Sequence, residues 1–226
     1  MARLQWLGHA AWKIEIDGKS VVIDPFLSNN PVAAVKPNQI GKVDAVIVTH
    51  EHGDHVGDSF EICRNSDATF IALYELATKA SQNGVKKTVG CNIGGPFNVD
   101  GIRLAFTPAI HTGNASGVVI LGNEATIYHT GDTSVFGDMK LIGQLYRPDI
   151  ALVPIGSFYT MGPQEASVAV SLIKPKIVIP MHFNTFEVIK QDPEEFSKMV
   201  KKRAVGVKVV ILRPGETFEY SRKKKA

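Results

Sequence analysis

The sequence predicts a layered α/β protein. Three observations carry this: a run of strand-like segments at the start, a regular alternation of helical and strand patterns from about residue 135 onward, and no linker or internal repeat between them. Residues 3–24 read as a β-meander, with Arg3–Leu7 and Ala11–Asp17 apolar-rich and partly alternating, a turn at Asp17-Gly18-Lys19, and Ser20–Asp24 as the next strand. Residues 25–42 contain three prolines and two adjacent asparagines and read as a long surface loop. The run VDAVIVT, Val43–Thr49, is a buried strand. Asp58–Arg64 and Tyr74–Asn83 read as helices flanking a strand at Thr69–Leu73, followed by strands near 85–89 and 102–107. Ala115–Leu121 and Ala125–His129 form a hairpin about Gly122-Asn123. A helix near 135–145 leads to a strand at Ile150–Ile155. Pro163–Lys174 is helical, with Pro163 suited to a first turn. Lys176–Pro180 is a strand, Pro193–Arg203 a helix, Val207–Leu212 a strand, and Glu216–Tyr220 a final edge strand. The basic run Arg222 to Lys225 reads as a frayed, solvated terminus.

Length and composition set bounds. A chain of 226 residues is expected to form one domain, 1–226, with an ample core. Hydrophobic residues at 44% and charged residues at 21% exclude a disordered or collagen-like chain. The net charge of +3 is too small to argue for nucleic acid by itself. Cys63 and Cys91 cannot build a disulfide framework and read as buried free thiols in a reducing compartment. The N-terminus carries a His and charges where a signal peptide needs an apolar run, and no apolar stretch is long enough for a membrane span, so a soluble cytoplasmic protein is expected.

Chemistry concentrates in Thr49-His50-Glu51-His52-Gly53-Asp54-His55, which begins where the strand Val43–Thr49 ends. The ends of strands are where α/β sheets place their sites. A turn there can aim His50 and His52 to one side and Asp54 and His55 to another. Imidazole with carboxylate suits zinc and other first-row divalent ions. His111, Asp132 and His182 also follow strand-like runs and join the candidate set.

With these residues in that order, the chain resembles the metallo-β-lactamase superfamily. Trp6-Leu7-Gly8-His9-Ala10, Ile23-Asp24-Pro25-Phe26-Leu27, Tyr128-His129-Thr130-Gly131-Asp132-Thr133, Pro154-Ile155-Gly156 and Met181-His182-Phe183-Asn184-Thr185-Phe186 narrow the resemblance. They are similar to a compact metal-dependent hydrolase branch related to ascorbate-6-phosphate lactonase and, more distantly, to N-acyl-phosphatidylethanolamine-hydrolysing phospholipase D. The resemblance implies a four-layer αβ/βα sandwich with two metals at one edge. It assigns His50, His52 and His111 to the first ion and Asp54, His55 and His182 to the second, with Asp132 bridging. His at position 52 argues against the related diiron oxygen reductases, which usually have Glu there. Neither cysteine occupies a ligand position. The chain is too short for the inserted domain of the RNA-cleaving members, and no room follows Asp132 for the helical domain of glyoxalase II.

Two divalent ions can share one hydroxide at neutral pH and polarise a carbonyl or phosphoryl oxygen. The expected activity is therefore attack by a metal-bridging hydroxide on a small-molecule ester, lactone, amide or phosphodiester, with Asp54 able to shuttle a proton. No G-x-S-x-G elbow or Walker loop is present. His9, in a turn between the first two strands, resembles a site-facing His of that branch, which implies a catalytic role towards substrate or behind a ligand, with a structural hydrogen bond as the alternative. Asp24 is placed to orient a ligand imidazole, whose second ring N–H needs an acceptor. His129 reads as structural. Tyr159, before a helix N-terminus, could meet an oxyanion or leaving group. Phe26, Phe158, Phe183 and Phe186 could rim a pocket or pack in the core. The competing functions are a nucleic-acid phosphodiesterase, which the missing insert and the lack of basic–aromatic interleaving disfavour, and a metal-holding protein without turnover. Zinc leads among the metals, with manganese, iron and nickel suiting the same donors. Homo-oligomerisation, the substrate and the bond cleaved are not fixed by the sequence.

Overall fold

The computed structural model describes residues 1–222. Its strands are β1 Ala2–Gly8, β2 Ala11–Ile16, β3 Lys19–Ile23, β4 Ala45–Ile47, β5 Thr69–Leu73, β6 Thr88–Cys91, β7 Phe97–Val99, β8 Ile102–Pro108, β9 Ser116–Leu121, β10 Thr126–His129, β11 Ile150–Pro154, β12 Ile177–Met181, β13 Lys208–Val209 and β14 Thr217–Tyr220. Its helices are α1 Gly53–Val56, α2 Ser59–Ser66, α3 Tyr74–Gln82, α4 Met139–Tyr146, α5 Pro163–Ile173 and α6 Pro193–Arg203. The strands form two seven-stranded sheets, ordered β14-β1-β2-β3-β4-β5-β6 and β13-β12-β11-β10-β9-β8-β7. Helices α2 and α3 cover the first sheet and α4, α5 and α6 the second, giving a four-layer αβ/βα sandwich.

The inner layer explains the residue pattern. Trp6, Trp12, Ile14 and Ile23 of the first sheet meet Leu104, Phe106, Val118 and Tyr128 of the second in one apolar cluster. A second cluster, with Val46, Val48, Phe70, Ile62 and Leu76, lies between the first sheet and α2 and α3. Strands β11 and β12 are buried at every position because both of their faces are covered. Each fully buried Phe or Leu, such as Phe70 or Leu104, contributes about 1.5–3 kcal/mol.

Strand direction positions the site. β3 to β6 run parallel, as do β10 to β13. β8 and β10 both pair antiparallel with β9 and so point the same way. The ends of β4, β8, β10 and β12 are followed by His50, His111, Asp132 and His182.

The structure departs from these expectations in the following places. The segment holding the first histidine cluster contains the short helix α1, which is too brief for hydrophobic periodicity to reveal. Phe97–Val99 is a strand that pairs only with β8. Val207–Leu212 shrinks to the two residues of β13, an edge strand with only Ile177 and Val178 opposite. Arg222 is no frayed residue, since its guanidinium donates to Asp149 Oδ2 at 2.6 Å and to Thr126 Oγ1 at 3.0 Å. Lys223, Lys224 and Lys225 lie outside the described residues. Cys63 is buried but Cys91 is half-buried, and both thiols are free. Among the described residues no helix is long and apolar enough to cross a membrane.

Candidate metal centre

All seven histidines of the chain converge at one edge of the sandwich. Three overlapping groups offer donor atoms within 4.8 Å of one another: His50, His52 and His111; His9, Asp54, His55 and His182; and His50, His55 and Asp132. In the first group the Nε2 atoms of His50 and His111 lie 3.0 and 3.2 Å from His52 Nδ1. Asp132 lies between the groups, its Oδ2 3.0 Å from His182 Nε2, 3.3 Å from His55 Nε2 and 3.8 Å from His111 Nε2.

Local backbone explains how these side chains meet. His52 caps α1, which carries Asp54 and His55 one and two residues into its single turn. Gly131 (φ +64) separates His129 from Asp132, and a Cβ there would lie 2.2 Å from Ser116 O, so only glycine fits. His9, Asp24 and His182 are non-glycine residues at φ 54, 46 and 53, a strained conformation that concentrates at functional sites. The Ser157–Phe158 pair before α5 shares it, at φ 61 and 55.

A layer of buried acceptors orients the imidazoles. Asp24, wholly buried, accepts from His55 Nδ1–H at 2.7 Å and from Thr49 Oγ1–H at 2.7 Å. Thr49 Oγ1 spends its proton on Asp24 and accepts from His50 Nδ1–H at 3.0 Å. In the neutral rings this leaves a bare Nε2 facing the cluster, the orientation that ligand histidines need. His9 Nε2–H donates to Asp54 Oδ2 at 3.1 Å, while the Thr185 hydroxyl donates to His9 Nδ1 at 2.8 Å. His129 donates from Nε2 to Ala10 O at 3.0 Å and accepts from Gly131 N–H at 3.1 Å, which is a structural role bracing the turn beside His9.

Electrostatics follow from burial and crowding. Burial, reinforced by the His182 ring, pushes His9 down to about 4, and burial with the His55 ring pushes His50 down to about 3. Burial works against ionised Asp132, yet the His182 and His55 rings outweigh it and hold the carboxyl well below its usual range. The same opposition raises His55, where Asp132 and Asp24 outweigh desolvation. Asp54 is likewise lowered against burial, by its bond from His9.

The donor set fits divalent ions. His55 Nε2, His182 Nε2 and Asp132 Oδ1 are buried without a hydrogen-bond partner, since the close His–Asp132 approaches lack hydrogen-bond alignment. Unpartnered buried donors and acceptors are costly, and a cation among them would satisfy all three.

A cavity of about 570 Å³ opens over this cluster, lined by His52, Asp54, His111, Asp132 and His182 together with Thr112, Tyr159, Phe186 and Val188. Tyr159 is 54% exposed and packs edge-on against Phe158 at 4.7 Å. Phe26 and Phe186 pair at 6.4 Å beside His9. Phe183 is instead a core residue, stacked on Trp6 at 5.4 Å. Sequence reasoning missed Thr49, Thr112, Thr185 and Val188. A threonine hydroxyl has no spacing signature, although Thr49 and Thr185 stand one and three residues from a candidate histidine.

Comparison with known proteins shows the family and the fold. Residues 3–182 match the model of the "Beta-lactamase superfamily domain". The chain is 49% identical to a "UPF0173 metal-dependent hydrolase" of Methanopyrus kandleri, covering 96% of this chain and 99% of that one. It superposes on Igni18, described as a novel metallo hydrolase from Ignicoccus hospitalis, with a TM-score of 0.90 at 39% identity, over 97% of this chain and 99% of that one. An isothiocyanate hydrolase from Delia radicum gut bacteria shares the fold, at a TM-score of 0.79 and 21% identity over 97% and 99% of the two chains. The chain therefore belongs to the beta-lactamase superfamily, among its UPF0173 metal-dependent hydrolases.

Proposed function

We propose that residues 1–226 act as one hydrolase domain that holds two divalent ions, zinc foremost, and cleaves an ester, lactone or phosphodiester bond of a small molecule. His50, His52 and His111 hold one ion, Asp54, His55 and His182 the other, and Asp132 touches both. The observation that carries this is Asp132: one buried carboxylate faces both donor groups, with Oδ1 unpartnered and Oδ2 within 3.8 Å of three imidazoles. When bound, two such ions supply Lewis acidity and bring the pKa of a water towards about 7.

The remaining work falls to the chain. Asp24 fixes the tautomers of His55 and, through Thr49, of His50. His9 holds Asp54 by its Nε2–H on Oδ2, which turns the other carboxylate oxygen towards the second ion. Tyr159 stands at the cavity wall, where its hydroxyl can donate to a departing oxygen. Neither thiol serves as nucleophile, because burial pushes Cys63 and Cys91 up to about 12. Their free state suits a reducing, cytoplasmic setting.

The deciding experiment is elemental analysis of protein purified without chelator. Two ions per chain are expected, falling towards one in His182→Ala. A ratio of one in the parent protein that added metal does not raise would refute the two-ion reading.

A further inference from the structure

We infer that the substrate is an uncharged carboxylic ester or lactone with a small apolar acyl portion, an inference that rests on the hydrolytic reading above. The observation is the composition of the cavity once its proposed ligands are set aside. What remains is the Phe186 ring, the Val188 side chain and two hydroxyls, of Thr112 and Tyr159. Among the described residues lining the cavity there is no Lys or Arg. Phe186 and Val188 are both exposed, at 39% and 52%, so their apolar surface is available to a ligand.

Electrostatics decide between substrate classes. An anionic group pressed against an apolar wall loses hydration and needs a cation or several donors in return. The wall here returns only two neutral hydroxyls. A carboxylate or phosphate carried away from the reacting centre would therefore be bound at a loss. An apolar acyl chain on Phe186 and Val188 incurs no such cost and gains by burial. A cavity of about 570 Å³ is the size of small-molecule sites. The wall also lacks the stacked aromatics and basic groove that a nucleic-acid strand requires. The reaction balances with water alone: a water oxygen joins the acyl carbon, the acyl C–O bond breaks, and the alkoxide takes a proton to leave as the alcohol. That proton is the one the attacking water gives up, and the Tyr159 hydroxyl on the cavity wall is placed to relay it.

The test compares substrates with one leaving group on metal-loaded protein: 4-nitrophenyl butyrate, 4-nitrophenyl hemisuccinate and bis(4-nitrophenyl) phosphate. Butyrate should lead hemisuccinate and the diester at least tenfold in kcat/KM. Phe186→Ala should narrow the first ratio several-fold, and Val188→Lys should invert it by favouring hemisuccinate. Calorimetric binding of butanamide against succinamate, which report affinity without turnover, should follow the same order. Equal or better use of the hemisuccinate or the diester overturns this inference and leaves the hydrolase standing. No turnover of any of the three by protein carrying its metals overturns both. Preserved selectivity in Phe186→Ala and Val188→Lys together overturns the assignment to this wall.

Discussion

Asp132 and Asp149 are two carboxylates of the same sheet with nearly the same burial, each 2% exposed, and they face opposite edges of it. Asp132 follows the end of β10, while Asp149 precedes the start of the parallel β11. At Asp149 every lone pair is used. Its oxygens accept from Thr126 N–H, Lys176 Nζ, Tyr220 Oη and the Arg222 guanidinium. At Asp132 one oxygen has no partner and the other faces three imidazoles. Burial of a charge does not separate a fastener from a reactive centre, but the state of its hydrogen bonds does. Asp149 ties β14 of the first sheet, through Tyr220, and Arg222 just after it to the second sheet. Asp132 keeps an oxygen without a partner, which a bound cation would satisfy.

Exchanging the two carboxylates for alanine breaks the comparison most directly. Asp132→Ala should lower turnover by at least about 10²–10³-fold, the loss expected when a site's charge stabilisation is removed. It should also abolish most of the fall in Tm that chelator causes in the parent protein. Asp149→Ala should do the reverse. Turnover per folded molecule and metal content stay, while denaturant unfolding shows a loss of roughly 2–3 kcal/mol. That is less than a wholly buried ion pair costs, because Lys176 and Arg222 keep access to solvent. Equal stability losses with metal content intact in both variants would show that Asp132 is another fastener.

Asp24 sharpens the rule. Like Asp149 it is fully buried and bonded, accepting from Thr49 N–H, Thr49 Oγ1 and His55 Nδ1. Unlike Asp149, it bonds the far side of the proposed ligand His55 and, through Thr49, reaches that of His50. Asp24→Asn should weaken metal affinity about 10–100-fold, read by competition with a chromogenic chelator, with far-UV circular dichroism unchanged. Undiminished affinity would reduce Asp24 to packing.

How much of this was legible in the sequence follows the same division. The candidate metal ligands stand out in the sequence, because His50, His52, Asp54 and His55 crowd one turn and His111, Asp132 and His182 each follow a strand. Strand β5 matches its expected bounds because it is a short apolar run, and helix α6 because Asp192 and Pro193 mark its start and Lys201, Lys202 and Arg203 fill its last turn. Arg222 misled, because a basic tail carries no mark of the buried Asp149 it reaches across 73 residues. Thr49 and Thr185 were silent for the same reason: a hydroxyl acquires its meaning only from what the fold brings to it. Phe183 and Phe186, three residues apart, were indistinguishable in sequence. The turn after β12 sends one to Trp6 in the core and the other to the cavity.

The smallest expected effect concerns pH. Burial opposes the ionised form of Asp149, but the bonds from Lys176 and Arg222 outweigh it and hold the carboxyl down to about 2. A carboxyl lowered on folding adds stability that is fully present above its unfolded value, near the ordinary 3.8, and is lost as pH falls through the folded value. The window is therefore about pH 4 down to about pH 2. The solvent access of Lys176 and Arg222 limits the contribution to about 1 kcal/mol. Protein kept in chelator removes the separate effect of acid on metal binding. Under that condition the urea midpoints of the parent protein and Asp149→Asn should differ most above pH 4 and converge towards pH 2. Asn keeps the shape and one acceptor but cannot carry the charge, so the converging part reports the ion pairs alone. A constant gap across the window would show that the bonds to Asp149 matter for their geometry and not for their charge.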